Sequence, residues 1–323
     1  MEQKSDFVVP QAPASVTGSP STDMAMGIGA VERDTGLSKD TLRVWERRYA
    51  FPAPGRDAFG ERVYPWEQVE KLRAIKRLMV CGFRPGKIIH HGIADLKALG
   101  QQGNAGASSA CSLPELDGFL DLVRTHRVDD LRRGLGQEVA KGGLGHFVTA
   151  VARPLNVAIG ELWMQGSLEI FEEHLYTESL QIVLRNAIAN VPRALMAPRV
   201  LLTTLPNEQH GLGLLMAEAM LVLEGAQCVS LGVETPVWDI VRAAVSQKAD
   251  IVALSFSQGY PPAQAVDGLT ELRRHLDTSV DLWVGGGSEA LGRRLPGAML
   301  AISDLRAIAP ALAAWRERHE SQR

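Results

Sequence analysis

Four short apolar runs near the end of the chain, at 199–205, 228–231, 250–256 and 281–284, alternate with helical patterns near 211–224, 236–247, 262–275 and 288–294. Runs this short, rich in Val, Leu and Ile, read as strands buried on both faces. Strand alternating with helix leads to one architecture, an α/β parallel sheet doubly wound by helices on its two faces. In such a sheet a ligand sits beyond the carboxyl ends of the strands. The loop after the first strand reads Glu208-x-His210-x-x-Gly213. An imidazole on that loop stands where a group must stand to ligate a metal bound at the sheet edge. Spacing adds to this: 41 residues separate Gly213 from Ser255, and Gly285-Gly286-Gly287 ends a strand about thirty residues later.

Ahead of the sheet, the stretches 114–126, 128–140, 144–164 and 168–191 read as helices. Leu116, Phe119 and Val123 keep helical spacing in the first, Phe147, Val151 and Leu155 in the third, and Phe171, Leu175 and Ile182 in the fourth. Short connections imply antiparallel neighbours in a four-helix bundle. Gly166-Ser167 interrupts the last two, with Gly166 ending one helix and Ser167 capping the next. Trp163 then lies at the end of the third helix. Glu173-His174 follows after nine residues, near the start of the fourth. Antiparallel pairing brings all three to one end of the bundle. Singly they read as a core tryptophan and two solvated polar residues. Together they supply an aromatic, an acid and an imidazole that could cap the far face of a large flat cofactor held by His210.

The N-terminal part has a different character. Residues 26–34 form a short helix, Thr35-Gly36-Leu37 a tight turn, and Ser38 the N-cap of a second helix through about 48. Arg43 and Arg47 share a face of that helix with Lys39 one turn earlier, while Leu42 and Trp45 lie near the opposite side. Residues 56–64 have the turn residues and alternation of a β-hairpin wing. Pro65 is placed to start a further helix over 66–81, which Gly82 stops. Helix, turn, basic helix and wing in that order read as an α-helical winged helix-turn-helix. Residues 23–93 carry 13 Lys and Arg against 9 Asp and Glu, a local +4 in a chain of net charge −3. A basic module on an acidic body points to a polyanionic partner for that module alone.

The 323 residues allow several domains. The expected division is a disordered tail (1–22), the helix-turn-helix module (23–93), a Gly-rich flexible linker (94–112), the helical bundle (113–195) and the sheet domain (196–323). Cys81, Cys111 and Cys228 are odd in number and widely spaced, which makes neither a disulfide framework nor a zinc cluster and fits a reducing cytoplasm. No apolar run reaches the roughly 18 residues of a membrane span.

Two resemblances sharpen these readings. The stretch VERDTGLSKDTLRVWERRYAFPAPGRDAFGERVYP closely resembles the MerR family. It implies docking as a dimer on a near-palindromic double-stranded operator, with Lys39, Arg43, Arg47, Arg48 and Tyr49 on the recognition side and Arg56, Arg62 and Tyr64 on the flanking backbone. The W-x9-EH and E-x-H-x-x-G…S-x-S…GGG constellation resembles the cobalamin-dependent light-responsive repressors of the CarH/LitR type. That resemblance implies His210 as lower ligand of the cobalt. It puts Trp163, Met164, Glu173 and His174 at the upper face, and Glu208, Gly213, Ser255, Ser257, Gly285, Gly286 and Gly287 along the cofactor and its tail. It also implies adenosylcobalamin as the form bound and a homo-oligomer, dimer or tetramer, that the cofactor favours and light disassembles.

Three positions depart from the pattern. Glu208 stands for Asp, lengthening the arm that orients His210. Ser257 stands for Leu. Met164 stands where the best-known members have a histidine that ligates cobalt after illumination. The expected function is therefore a cobalamin-dependent transcriptional repressor and photoreceptor. The alternatives are a light-insensitive sensor of cobalamin or another tetrapyrrole, and a corrinoid methyl carrier. The last would need a separate catalytic domain that nothing in the chain resembles, so no enzyme is expected.

Overall fold

The computed structural model describes residues 25–80, 82–102, 114–192, 196–287 and 299–320. They form two compact units, one ending at Arg73 and the other beginning at Ala74. The expected tail, Cys81, Cys111, the Gly-rich stretch 103–113 and the expected helix at 288–294 lie outside the described residues.

The first unit contains β1 (Ala25–Gly27), α1 (Ile28–Thr35), α2 (Lys39–Tyr49), β2 (Gly55–Arg56), β3 (Arg62–Pro65) and the first turns of α3 (Trp66–Val80). Gly36, at φ 66°, ends α1 in the left-handed conformation that glycine adopts without strain, and its N–H donates to the Glu32 carbonyl. The Ser38 hydroxyl accepts from the Thr41 N–H at 3.1 Å and caps α2. Leu42 and Trp45 turn inward and are buried. β3 is the centre of a three-stranded antiparallel sheet in the order β1-β3-β2. Two boundaries differ from expectation. Residues 26 and 27 pair with β3 rather than starting a helix, and Pro65 ends β3 opposite Ala25 rather than opening α3. Arg73 grips Asp34 through two nitrogens, Nε at 2.8 Å, and so fastens α3 to α1.

In the second unit α3 continues to Val80, followed by α4 (Pro85–Ile88) and α5 (Ile93–Gln102). The linker expected from 94 therefore begins as helix. Leu96 and Gly100, one turn apart, are both buried, and a Cβ on Gly100 would lie 3.0 Å from the Met164 carbonyl oxygen. Close packing, not flexibility, explains that glycine.

Next come α6 (Pro114–Arg124), α7 (Val128–His146), a π-helical segment (Phe147–Ala152), α8 (Arg153–Met164) and α9 (Ile170–Ala189). α7 runs beyond the expected 140, with non-helical dihedrals at Gly143 (φ 78°, ψ 164°). Leu116, Val123, Leu131, Leu135, Phe147, Leu155, Ile159 and Leu180 share one core. On α9 the buried face is Tyr176, Ser179, Leu180, Val183 and Leu184, whereas Phe171 is exposed and Leu175 and Ile182 are half-buried. The expected stripe is one face off, because α9 has apolar residues on most sides. Its cap also differs. Glu169, not Ser167, is the N-cap, and its N–H donates to the Glu172 carboxylate at 2.7 Å in a reciprocal capping box.

The remaining elements are β4 (Met196–Thr203), α10 (Leu212–Leu223), β5 (Ala226–Gly232), α11 (Val237–Gln247), β6 (Ile251–Phe256), α12 (Pro262–His275), β7 (Asp281–Gly286), β8 (Met299–Ile302) and α13 (Ile308–Glu320). All strand pairs are parallel, in the order β5-β4-β6-β7-β8. Alternation along the strands sorts the two cores. Leu201, Val252, Leu254, Leu282 and Val284 pack with α11 and α12 residues, while Val200, Leu202, Ile251 and Trp283 pack with α10 and α13 residues. α10 is apolar on nearly every side because it is buried twice: Leu214 and Leu221 join the sheet core, and Leu212, Leu215, Met216 and Ala219 join the core of the preceding helices. Strand order reverses at β4, so the crevice between the carboxyl ends of β4 and β6 is the switch point at which such sheets take ligands. No described helix is long and apolar enough to cross a membrane.

Candidate functional site

The loop after β4 and the loop after β6 meet at this crevice, and a buried carboxylate joins them. Glu208 is 1% exposed. Its Oε1 accepts from His210 Nδ1 at 2.7 Å and from the His210 N–H at 3.0 Å. Its Oε2 accepts from both the N–H and the hydroxyl of Ser257, each at 2.7 Å. Thr204 steadies the loop from below, donating its hydroxyl to the Glu208 carbonyl at 2.6 Å and accepting from the Glu234 N–H at 2.8 Å. Burial pushes the Glu208 carboxyl up, but the four hydrogen bonds outweigh it and hold the group below its ordinary range. The hydrogen bond to Glu208 raises His210, against partial burial, and the charges of Glu208 and Glu173 add to the rise. With Nδ1 engaged, Nε2 is the nitrogen left for a ligand, and the His210 side chain is 62% exposed. One imidazole is one donor, so a metal held here must bring its other donors in a chelate.

The two departures from the motif prove to be one. Glu208 reaches one methylene further than Asp, and Ser257 supplies the hydroxyl and N–H that receive the longer arm. Neither residue alone signals this in the sequence.

The small residues have distinct reasons. A Cβ on Gly213, in the first turn of α10, would lie 3.0 Å from Ser255 Oγ, so these two motif residues, with 41 residues between them, are a contact pair. Ser255 sits opposite Gly285 in the β6–β7 register, and together they keep the carboxyl ends of the central strands free of bulk. Gly286 is required by the backbone instead. Its φ is 115°, and a Cβ would lie 2.0 Å from the Phe256 carbonyl oxygen. Gly286→Ala is expected to destabilise the fold by about 3 kcal/mol or more, read as the shift in a denaturant midpoint. Gly287→Ala, whose Cβ would meet Gln258 at an ordinary 3.6 Å, is the control and should shift it little.

The other expected group is at the α8–α9 end. Trp163 is half-buried against the helical core, and Met164 is the last residue of α8. The Glu173 carboxylate accepts from the Thr177 hydroxyl at 2.6 Å and is near enough to act electrostatically on His210. His174 is largely exposed, 3.6 Å from Glu173. Tyr176, one turn on, carries no signal in the sequence. Its ring is fully buried, and its hydroxyl has no partner among the described residues.

On the first unit the α2 face carries Lys39, 3.6 Å from Glu32, Arg43, 3.2 Å from Asp40, and the exposed Arg47 and Arg48. The Arg48 guanidinium lies 5.2 Å from the centroid of the half-buried Tyr49 ring. Arg56 donates to the Gly60 carbonyl across the β2–β3 turn. One expected contact with the DNA backbone, that of Tyr64, is corrected. Arg62 and Tyr64 share the face of β3 turned toward α2. Arg62 pairs with Glu46 at 2.8 Å and braces strand to helix, while Tyr64 is completely buried with its hydroxyl unpartnered among the described residues. Burial pushes the Tyr64 phenol up. Tyr64 is a core residue.

Comparison with known proteins follows the same division. Residues 26–91 match the MerR HTH family regulatory proteins. Over 257 residues the chain is 30% identical to the HTH-type transcriptional repressor CarA of Myxococcus xanthus, spanning 78% of this chain and 83% of that one. The chain belongs to the CarA/CarH family of MerR-type transcriptional regulators. With CarH, another HTH-type transcriptional repressor of Myxococcus xanthus, it shares 29% identity over 260 residues, 78% of this chain and 86% of the relative. Among solved structures, the monomethylamine corrinoid protein of Methanosarcina barkeri superposes with a TM-score of 0.51 at 17% identity, covering 62% of this chain and 98% of that one. That likeness is one of fold. Within a CarA/CarH-type regulator, the Glu208–His210 crevice lies in a domain of the corrinoid-protein fold, and the α2 face lies in the MerR module.

Proposed function

We propose that this MerR-type regulator binds cobalamin at the Glu208–His210 crevice and uses it to control binding to a double-stranded operator. The observation that carries the reading is the fixed imidazole. Glu208, itself held by Ser257, engages Nδ1 of His210 and leaves Nε2 as the nitrogen that would ligate cobalt. The residues fit a corrinoid in a second respect, since Ser255, Gly213 and Gly285 keep bulk out of the crevice where its nucleotide tail would descend. In this reading α6 to α9 act as a four-helix bundle capping the upper face. Trp163, Met164, Glu173 and His174 would contact the cofactor from the side of these helices. The first unit with the rest of α3 is a winged helix-turn-helix, with β2 and β3 as the wing.

The upper ligand we favour is adenosyl, and the cofactor then supplies a cobalt–carbon bond that light cleaves. Trp163, Glu173 and His174 would enclose the adenosyl group and hold the helices in one arrangement. A ligand shifts assembly only by its differential affinity for the two states, so removing the adenosyl group removes the bias toward the homo-oligomer. Met164 cannot offer an imidazole, leaving His174 as the nearby substitute.

Absorption spectra with adenosylcobalamin, dark and after green light, test this when the same samples are run by size exclusion. The expected result is binding in the dark, a larger assembly that light dissociates, and a lit spectrum unlike two-imidazole cobalamin. Full photolysis with unchanged assembly would narrow the role to sensing the cofactor's presence. No cobalamin binding would overturn the proposal.

A further inference from the structure

The turn at 165–169 joins the helix that carries Trp163 to the helix that carries Glu173 and His174, and a guanidinium is seated on it. Arg77, near the end of α3, has only 12% of its side chain exposed. Its guanidinium carbon lies 5.8 Å from the centroid of the Trp163 ring, and its Nη2 lies 4.0 Å from Glu169 Oε2. Gly166 sits directly beside it, where a Cβ would be 2.9 Å from Nη1, and its φ of 70° favours glycine for a second reason. Glu169 is the N-cap of α9, so the same guanidinium meets the end of one helix, the turn and the start of the next.

α3 makes a second contact, with the loop after β6. A Cβ on Gly259 would lie 1.9 Å from the Val80 carbonyl oxygen, so the last residue of α3 rests on the loop whose Ser257 holds Glu208. Two turns earlier, at Arg73, the same helix is fastened to α1 by the Asp34 pair. A helix of 15 residues therefore carries, at its far end, contacts to both the 165–169 turn and the loop after β6.

We propose that Arg77 is a positioning residue that couples Trp163 to α3, so that the state of the cofactor site biases DNA binding within a single chain, independently of self-association. The inference rests on the cobalamin reading and gives it a route. A guanidinium over an aromatic face is held more strongly when desolvated, and Arg77 is nearly buried. Displacement of Trp163 removes that face and moves Glu169 with the turn. Arg77 must then follow the turn, carrying α3, or part from both Trp163 and Glu169.

The experiment uses the full chain and operator duplex in the dark. Operator affinity is measured with and without adenosylcobalamin, and cofactor affinity with and without operator, since coupling is reciprocal. In wild type the two ratios agree and differ from one. Arg77→Met keeps the apolar stem and removes the charge. It is expected to leave cofactor affinity without DNA, and the bound spectrum, unchanged, and to lower the ratio by about fivefold. Arg77→Lys keeps charge and stem but loses the fork and is expected to lower it about twofold. A wild-type ratio in both variants, or in the lysine variant alone should the methionine variant not fold, overturns the proposal. A wild-type ratio of one with no cofactor bound overturns the cobalamin reading instead, so the two failures are distinct.

Discussion

His210→Ala should weaken cobalamin binding by about 100-fold and leave the cofactor with a spectrum that lacks protein imidazole ligation. The size follows from the geometry. Removing a partner that merely orients a metal-ligating histidine costs about 10–100-fold in affinity, so removing the ligand should reach the top of that range. The substitution strips Glu208 of its hydrogen bond to Nδ1, but Ser257 continues to satisfy Oε2 and the backbone N–H of residue 210 continues to satisfy Oε1. The loop should therefore persist, and the loss should fall on the cofactor rather than on folding. Titration followed by absorption checks both parts. Equal affinity and an identical spectrum in the variant would leave His210 as a surface residue.

Arg43→Ala combined with Arg47→Ala should lower operator affinity on the order of 100-fold, with fold and cobalamin binding intact. Both side chains are on the exposed face of α2, and the Asp40 partner of Arg43 is itself 90% exposed, so neither arginine is tied into the core. Each arginine that reads a base edge contributes about 1–3 kcal/mol of discrimination, whereas removing an arginine that neutralises a phosphate lowers the salt slope by about one. Mobility shifts across a salt series separate the two. Parallel weakening on operator and random DNA with a shallower slope marks phosphate binding, and weakening on operator alone marks base reading. An unchanged shift for the double variant would remove α2 from the interface. Arg62 and Tyr64 make useful contrasts, because their substitution should act through the Glu46 brace and the buried ring, that is, through stability.

The parts of this molecule legible from sequence are those written in local code. Ser38 announces a cap, Gly36 a left-handed turn, and Val200 to Leu202 a strand buried on both faces, each from a neighbourhood of a few residues. The crevice is legible for a related reason, since the spacing of Gly213, Ser255 and Gly285 reflects the start of α10 and the carboxyl ends of β6 and β7, which meet at one edge of the sheet. What escapes depends on distant partners. Phe171 and Tyr176 keep equal claims to the inward face of α9 until α7 is in place. Gly100 looks like linker until Met164 is packed upon it, and Tyr64 looks like wing until α2 lies over it. Ser257 looks like a missing leucine because its meaning lies in Glu208, 49 residues away. β8 and α13 are too short or too weakly periodic to stand out before the sheet that needs them exists.

The π-helical segment at Phe147–Ala152 has a consequence for how this chain can change length. In a helix each inserted or deleted residue turns everything beyond it by about 100°, and a π turn is the form a helix takes when it absorbs one extra residue without unwinding. Here the buried Phe147, Val148, Val151 and Ala152 hold that extra residue in place, and α8 continues directly from it to Trp163. A chain one residue shorter in this segment would make a more regular helix with better hydrogen bonds, yet its tryptophan would point about a quarter-turn away from the end of α9. Length here is thus under directional constraint, in a helix interior where sequence alone would suggest that only composition matters.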